Sequence, residues 1–332
     1  MVTERALLVA SLPHGPRDPM TGTPPRQPGS VRRTTSIDQR RGESGAPQEI
    51  VATGRDLLTR QDGTTEVIDA VTLRATVDSM GTVTELEVDP PVSGIDALVG
   101  GHVSQGLRRR VDEALPDERE RATLLHQLLD DFPMAALLSS YGSTRETEDW
   151  NIPKETAAGM ADLCAGWAAE GTMLDALDRT GIFPIPLGPP APDLLSDDDP
   201  LAWHDLEPMA LRSIRRRRRL DLIPGEPLTM DVHFRDSHLG ADGLEDVLHE
   251  YSLAVDLDAD LTVLRSEATV RVLPWPECPG AIASAGRVVG QPVTALRRLV
   301  TSELKGTSTC THLNDVLRSV AGASALVKAM PR

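Results

Sequence analysis

The segment from Ile214 to Asp221, with the sequence IRRRRRLD, begins the second of two stretches of the chain that share one order of features. The segment from Val31 to Asp38, VRRTTSID, begins the first stretch. Each segment is followed by an Arg-Asp pair, an alternating apolar pattern, a Val-Gly pair and a Leu-Arg-Arg triplet. This shared order predicts an internal duplication with a unit of about 110 residues, which is too long for a solenoid repeat.

The two stretches align at a series of matched positions. The alignment pairs Arg55-Asp56 with Arg235-Asp236, Val71 with His249, Asp78 with Asp256, Val99-Gly100 with Val289-Gly290, Leu107 with Leu296, Leu124 with Cys310, and His126 with His312. Because the Arg-Asp pair occurs in both stretches, we expect it to be structural.

Strand and helix patterns predict what each unit contains. Apolar residues alternate with other residues from Val71 to Val77, as in a half-buried strand. Apolar residues then recur near helical spacing between Ala122 and Leu138. Strands followed by helices are typical of the α+β class. The sequence therefore predicts two tandem related units, each an antiparallel sheet followed by two helices, packed as a pseudo-two-fold pair.

These patterns divide the chain into four parts. Residues 1–30 are predicted to be a disordered tail, because a Pro-rich polar segment buries too little surface to offset the entropy of ordering. Residues 31–141 form the first unit and residues 213–328 the second. Residues 142–212 are predicted to be a connecting helix followed by a Pro-rich, acidic linker.

Charge and cysteine content narrow the function classes. The chain has 50 acidic and 34 basic residues, and its net charge of -16 opposes non-specific binding to nucleic acid. The five consecutive arginines, 215–219, are predicted to pair with acidic residues of the chain rather than to bind phosphate. Three cysteines do not make a disulfide framework, and no apolar run is long enough for a membrane span. We therefore expect a cytoplasmic protein that does not enter a membrane.

Several short motifs of the second stretch carry a family resemblance. They are Phe234-Arg235-Asp236, Pro276-Glu277-Cys278-Pro279, Val289-Gly290 and Cys310-Thr311-His312-Leu313. With these motifs, residues 214–326 resemble the bacterial domain of unknown function family 2889. The segments Cys164-Ala165-Gly166-Trp167 and 199–204 resemble the connector of longer, actinobacterial-type members. The chain departs from the commonest form of the last motif, since Ser308-Thr309 stands where a glycine often precedes the cysteine. The resemblance implies a domain assignment and no particular activity.

Thiol and imidazole side chains are concentrated in the second unit. The set consists of His249, Cys278, Cys310 and His312. In the first unit, Val71 is aligned with His249 and Leu124 with Cys310. Of the four side chains, the first unit retains only a counterpart of His312, which is His126. We therefore expect the candidate site in the second unit. Cys164 is predicted to belong to the core, because it lies on one apolar helical stripe with Met160, Leu163, Trp167, Leu174 and Leu177.

Three interpretations of this set are open. The four side chains together predict a metal site, since thiolate and imidazole are ordinary zinc ligands. Cys310 at the start of a helix, with His312 or His249 as base, is also typical of thiol chemistry on acyl or thioester substrates. Asp236 or Asp315 would then orient the imidazole. In the third interpretation the cysteines are core residues and the histidines are satisfied by hydrogen bonds.

The sequence does not identify a reaction. It contains no GxGxxG-helix unit, Walker loop, GxSxG elbow or HExxH motif. No cofactor follows from it, and the oligomeric state is unknown. We expect a binding or accessory module for a metabolic enzyme or a small molecule, whose partner is a protein or a small molecule. A thiol-dependent enzyme and a metal-binding module are the two alternatives.

Overall fold

One antiparallel sheet of eight strands dominates this computed structural model, which describes residues 8–9, 11–41, 46–147, 154–195 and 198–331. The strands are β1 (Val31–Arg41), β2 (Gln48–Thr59), β3 (Thr65–Val77), β4 (Val83–Asp89), β5 (Ser213–Ile223), β6 (Leu228–Leu239), β7 (Glu245–Leu257) and β8 (Val263–Val272). Their order across the sheet is β4-β3-β2-β1-β5-β6-β7-β8. Each half of the chain thus forms a four-stranded meander, and the meanders join where β1 pairs with β5.

Helices follow the strands in both halves and lie against the sheet. They are α1 (Leu107–Ala114), α2 (Pro116–Arg121), α3 (Leu124–Thr147), α4 (Lys154–Gly159), α5 (Thr172–Thr180), α6 (Leu296–Glu303), α7 (Thr311–Ser319) and α8 (Ala323–Ala329). Helix α3 packs across β1, β2 and β5, while α7 packs on β6 and β7. The fold is α+β, as predicted. Within the described ranges, no helix is both long and apolar enough to cross a bilayer.

Alternation along the strands builds the core beneath these helices. In β3, Val71, Leu73, Ala75 and Val77 are buried, and the residues between them are more exposed. In β7 the same alternation buries every second residue from Tyr251 to Leu257. Two apolar clusters result, one centred on each half of the sheet. Each fully buried Val or Leu contributes about 1.5–3 kcal/mol by its removal from water.

The register of the strands corrects the sequence alignment of the two halves. Asp236 pairs with His249 across β6 and β7, and Asp56 pairs with Asp69 across β2 and β3. In both halves, the register between the two strands shifts immediately after this pair of residues. Asp69, and not Val71, is therefore the counterpart of His249. A two-residue shift keeps every side chain of a strand on the same face, so the alternating pattern does not reveal it.

Two segments that the sequence predicts to be a tail and a linker cover the other face of the sheet. Of the predicted disordered tail, residues 1–7 and 10 lie outside the described residues, and the remainder is instead bonded to the sheet. The Asp18 N–H donates to the Arg271 carbonyl at 2.9 Å, and the Met20 N–H donates to the Glu250 carboxylate at 3.0 Å. In the Pro-rich linker, Pro189 accepts the N–H of a β7 residue at 2.9 Å. Bonds to the sheet thus help to order these segments, together with a small apolar cluster of Leu194, Ala202 and Trp203 against which Met20 packs.

The five arginines of β5 pair with carboxylates on both faces of the sheet, which confirms the predicted internal pairing. On the helix side, Arg216 bonds to Asp236 and Asp315. Arg218 bonds to Asp131 there. On the opposite face, Arg215 pairs with Asp38, Arg217 with Glu245, and Arg219 with Asp231. All five arginines are buried, so each depends on its partner to offset the loss of hydration.

Loss of one buried partner should therefore be costly. In Asp131→Ala, the buried Arg218 loses two hydrogen bonds of 2.7 and 2.9 Å, and an uncompensated buried charge of this kind costs about 3–5 kcal/mol of unfolding free energy. The matched control is Asp256→Ala, which removes the partner of the more exposed Arg265 and should cost less than about 1 kcal/mol. Urea unfolding measures both values, and similar small losses would contradict this role of the β5 arginines.

Candidate functional site

Four polar side chains meet at the start of α7. The strand register places Arg216, Asp236 and His249 side by side on β5, β6 and β7. Asp236 accepts hydrogen bonds from Arg216 Nε at 2.8 Å and from Arg216 Nη2 at 3.0 Å. Its Oδ2 atom lies 3.6 Å from His249 Nδ1 and 3.7 Å from His312 Nε2. We refer to Asp236, His249 and His312 as the Asp-His-His cluster.

The local conformation before α7 positions His312. Gly306 has a φ of 77°, a value that favours glycine and turns the chain toward the helix. Cys310 is the N-cap residue in extended backbone, and its carbonyl accepts the N–H of Asn314 at 2.8 Å. Leu313 then faces the core and is fully buried. His312 consequently lies in the first turn of the helix, where it reaches the carboxylate of Asp236.

The two imidazole rings of the cluster stack on each other. Their centroids are 3.6 Å apart, and the angle between their planes is 17°. His249 Nδ1 and His312 Nε2 are buried and make no hydrogen bond of normal length. Burial, and then the adjacent His249, lower the pKa of His312 to about 3. The His312 ring is therefore neutral near pH 7.

Asp236 stays a carboxylate although it is fully buried. Burial raises its pKa, but the Arg216 guanidinium and the hydrogen bonds to the carboxylate outweigh burial, and the net pKa is about 2. Arg216 also donates from Nη1 to Asp315 Oδ2 at 2.8 Å. The positive charge of Arg216 is thus held between a carboxylate from β6 and a carboxylate from α7.

The Asp-His-His cluster contains three possible metal ligands. One donor atom from each side chain lies within 4.8 Å of the other two. Of the predicted metal set, His249 and His312 come together, whereas Cys278 and Cys310 do not join them among the described residues. The lone pairs of two stacked rings lie in nearly parallel planes, with the ring centroids 3.6 Å apart, but the ligands of one ion must converge on it. A bound ion would therefore require one ring to rotate out of the stack.

The three cysteines are buried next to the cluster. Burial, and then the nearby Cys164 thiol, raise the pKa of Cys310 to about 11. Burial also raises the pKa of Cys278 and the pKa of Cys164. All three are therefore protonated thiols near pH 7, and the start of α7 does not overcome burial at Cys310. Thiol catalysis by Cys310 with His312 stays a prediction, and this environment disfavours it.

An apolar cavity of about 510 Å³ adjoins the cluster. Both histidines and all three cysteines line it. Its large apolar lining residues include Met134, Met160, Trp167, Met173, Phe183 and Trp275. Leu137 and Leu163 also line the cavity although they are 44% and 52% exposed, and they therefore mark its opening. No acidic or basic side chain other than the histidines lines it within the described ranges.

The segment between the two units supplies much of this wall, and sequence reasoning did not find it. The sequence predicts one helical stripe through Met160, Cys164 and Trp167. In the structure these residues instead lie in the turns between α4 and α5, and their side chains line the cavity. One signal was present, because three of the four tryptophans of the chain fall within residues 142–212. Large apolar side chains at that density indicate a buried segment rather than an extended linker.

Among the described residues of the first half, no equivalent cluster occurs. There Asp56 bonds to Arg33 through both carboxylate oxygens at 2.7 Å, and Asp69 occupies the position of His249. His126, which the sequence pairs with His312, makes a 2.9 Å hydrogen bond between Nε2 and Asp112 Oδ1. The candidate site is therefore assembled by the second half of the sheet.

One family model matches the part of the chain that contains the cluster. The family model with the description "Protein of unknown function (DUF2889)" matches residues 214–325, from β5 into α8. This match supports the resemblance carried by the sequence motifs, and it includes all three residues of the cluster. No curated protein and no solved structure matches the chain. The chain is thus an α+β protein whose second half matches this family and contributes the cluster to the wall of an apolar cavity.

Acid should destabilise the fold through His312. The ordinary pKa of about 6.5 applies to this ring in the unfolded chain, while its pKa in the folded protein is about 3. Between these values the unfolded state binds more protons, so the unfolding free energy should fall as the pH falls. The His312 contribution is at most about 1.4 kcal/mol per pH unit. His312→Phe should flatten this part of the profile measured by urea unfolding, and the two profiles should run parallel above pH 7. Parallel profiles at every pH would contradict a buried neutral His312.

Iodoacetamide labelling tests the state of the thiols. Because the raised pKa keeps each cysteine protonated, Cys164, Cys278 and Cys310 should all react at least about tenfold more slowly in the folded protein at pH 7.5 than in urea. Peptide mass spectrometry measures each rate, and the unfolded sample shows that every thiol is competent to react. Rapid labelling of Cys310 alone in the folded protein would instead support the thiol mechanism.

Proposed function

We propose that the protein binds a small, mainly apolar molecule in the cavity, with the polar group of that molecule against His249 and His312. The observation that carries this proposal is the cavity of about 510 Å³, in which apolar side chains surround a pair of imidazoles. Ligand sites are typically concave and mainly apolar, with a few placed polar groups that fix orientation. This is the small-molecule form of the binding module expected from the sequence.

The exposed side chains at the opening support an entry route for such a molecule. Leu137 comes from α3 and Leu163 from the segment between α4 and α5, and both are exposed to solvent while they also line the cavity. A ligand that fills the cavity would cover them and remove apolar surface from water. Each square ångström so covered contributes about 25 cal/mol.

We also propose that the two halves derive from one duplicated unit and that the first half now supports the site in the second. The Arg33–Asp56 pair on β1 and β2 and the Arg216–Asp236 pair on β5 and β6 have the same bidentate geometry, which supports this view. Helix α3 of the first half contributes Met134 to the cavity wall. The actinobacterial-type connector is part of the same proposal, since it contributes Met160, Trp167 and Phe183 to that wall.

A cytoplasmic location and the lack of a nucleic-acid partner belong to the proposal as well. Three buried cysteines without disulfide bonds are consistent with a reducing compartment. The arginines of β5 are buried and paired, so they are not free to bind phosphate.

Blocking the opening should prevent binding. Pyrene, a neutral hydrocarbon whose emission bands report the polarity around it, is the probe. In Leu163→Trp the larger indole ring should obstruct the opening and weaken pyrene binding by at least about tenfold. The matched control is Leu264→Trp on β8, because Leu264 is equally exposed, at 52%, but does not line the cavity.

The two variants separate the possible outcomes. The control should bind pyrene as tightly as the original protein. Equal binding by both variants would place the pyrene site elsewhere, and a failure of the original protein to bind pyrene would contradict the proposed function itself.

A further inference from the structure

The carboxylate of Asp236 determines which nitrogen of each histidine carries the proton. Asp236 is ionised and accepts hydrogen bonds only. The ring nitrogens nearest to its Oδ2 atom are His249 Nδ1 at 3.6 Å and His312 Nε2 at 3.7 Å. If either nitrogen lacked a proton, its lone pair would face the carboxylate in a buried space. The protons therefore belong on His249 Nδ1 and on His312 Nε2.

A neutral imidazole has one donor nitrogen and one acceptor nitrogen. With the protons directed at Asp236, the acceptor nitrogen of the neutral His312 ring is Nδ1. The corresponding acceptor of an uncharged His249 ring is Nε2. In these two rings, the buried nitrogens that make no hydrogen bond are the ones that face Asp236. Both rings also line the cavity. The acceptor nitrogens are therefore the ones left for a molecule in the cavity.

The charges behind the rings exclude an anionic group on that molecule. The guanidinium of Arg216 is bonded to both Asp236 and Asp315. Asp315 also pairs with Arg318 and Arg108, so the positive charges behind the rings already have carboxylate partners. The other cavity-lining side chains carry neither an ammonium nor a guanidinium within the described ranges. A ligand carboxylate would meet imidazole lone pairs and no positive charge, at a large cost of desolvation.

We infer that the molecule held in the cavity carries a hydroxyl group, and that His249 or His312 accepts the hydrogen bond from this hydroxyl. This inference rests on the proposed function and adds the chemical class of the ligand. A neutral hydroxyl group on an apolar body satisfies both the acceptor nitrogens and the apolar walls. Asp236 acts here as a positioning residue, because it fixes the tautomers and need not touch the ligand.

A matched series of probes tests the inference. Fluorescence titration compares pyrene, 1-hydroxypyrene, 1-methoxypyrene and 1-pyrenecarboxylate at pH 7.5. We expect 1-hydroxypyrene to bind about tenfold more tightly than 1-methoxypyrene, since the methyl ether cannot donate a hydrogen bond. The carboxylate should bind more weakly than the ether. Equal affinities for the hydroxyl and methoxy compounds, or tightest binding of the carboxylate, would overturn the inference while leaving cavity binding intact.

Substitution of the two histidines tests whether their imidazole rings cause the preference for 1-hydroxypyrene. His249→Phe and His312→Phe retain an aromatic ring in the stack but remove its acceptor nitrogen. The preference for 1-hydroxypyrene should fall in at least one of them and disappear in the double variant, while pyrene still binds. Retained pyrene binding shows that the cavity of the variant is intact. A full preference in the double variant would overturn the inference, and loss of binding by every probe in the original protein would instead contradict the proposed function.

The tautomers can also be measured without a ligand. Nitrogen-15 chemical shifts of the two rings should show a protonated Nδ1 in His249 and a protonated Nε2 in His312. This pair of opposite tautomers follows from the position of Asp236 alone. A protonated Nε2 in His249 together with a protonated Nδ1 in His312 would place donors on the cavity side and overturn the inference even if the variants fail to fold.

Discussion

The pairing of buried arginines with carboxylates is the constraint on which the centre of the sheet depends. Removal of two charges from water costs several kcal/mol per ion, and only close, well-formed partners compensate for that cost. Arg216 and Arg218 meet this condition with carboxylates from β6, α3 and α7. Those contacts tie α3 and α7, one helix from each half, to the same strand, β5. The charge pairs therefore specify the arrangement of the helices as well as stabilising it.

The same constraint determines the chemistry of the site. Arg216 keeps Asp236 ionised, Asp236 faces one nitrogen of each stacked histidine, and burial keeps His312 neutral. We propose that this cluster, in place of a metal site or a catalytic centre, presents fixed hydrogen-bond acceptors in an apolar wall. The buried thiols contribute to that wall as small apolar groups, which is the usual behaviour of free cysteine.

The sequence revealed the class of the fold and the half of the chain that holds the site, but not the cavity. Alternation predicted β3 and β7, since each strand buries one face. The acidic composition indicated that the arginines of β5 pair internally. The counterpart of His249 was misplaced because a strand shifted by two residues retains its pattern. Helical spacing assigned Trp167 to a stripe, although the chain turns there, and the fold of that segment depends on contacts with distant residues such as Thr309.

The junction between β1 and β5 has a consequence for the part of the chain that matches the family. Residues 214–325 on their own would leave β5 as an open edge strand, with a row of unpaired amide and carbonyl groups available to other chains. Arg215 and Arg218 would also lose Asp38 and Asp131, which belong to the first half. The first half of the chain therefore covers a strand edge and supplies carboxylates that the matched segment would lack on its own.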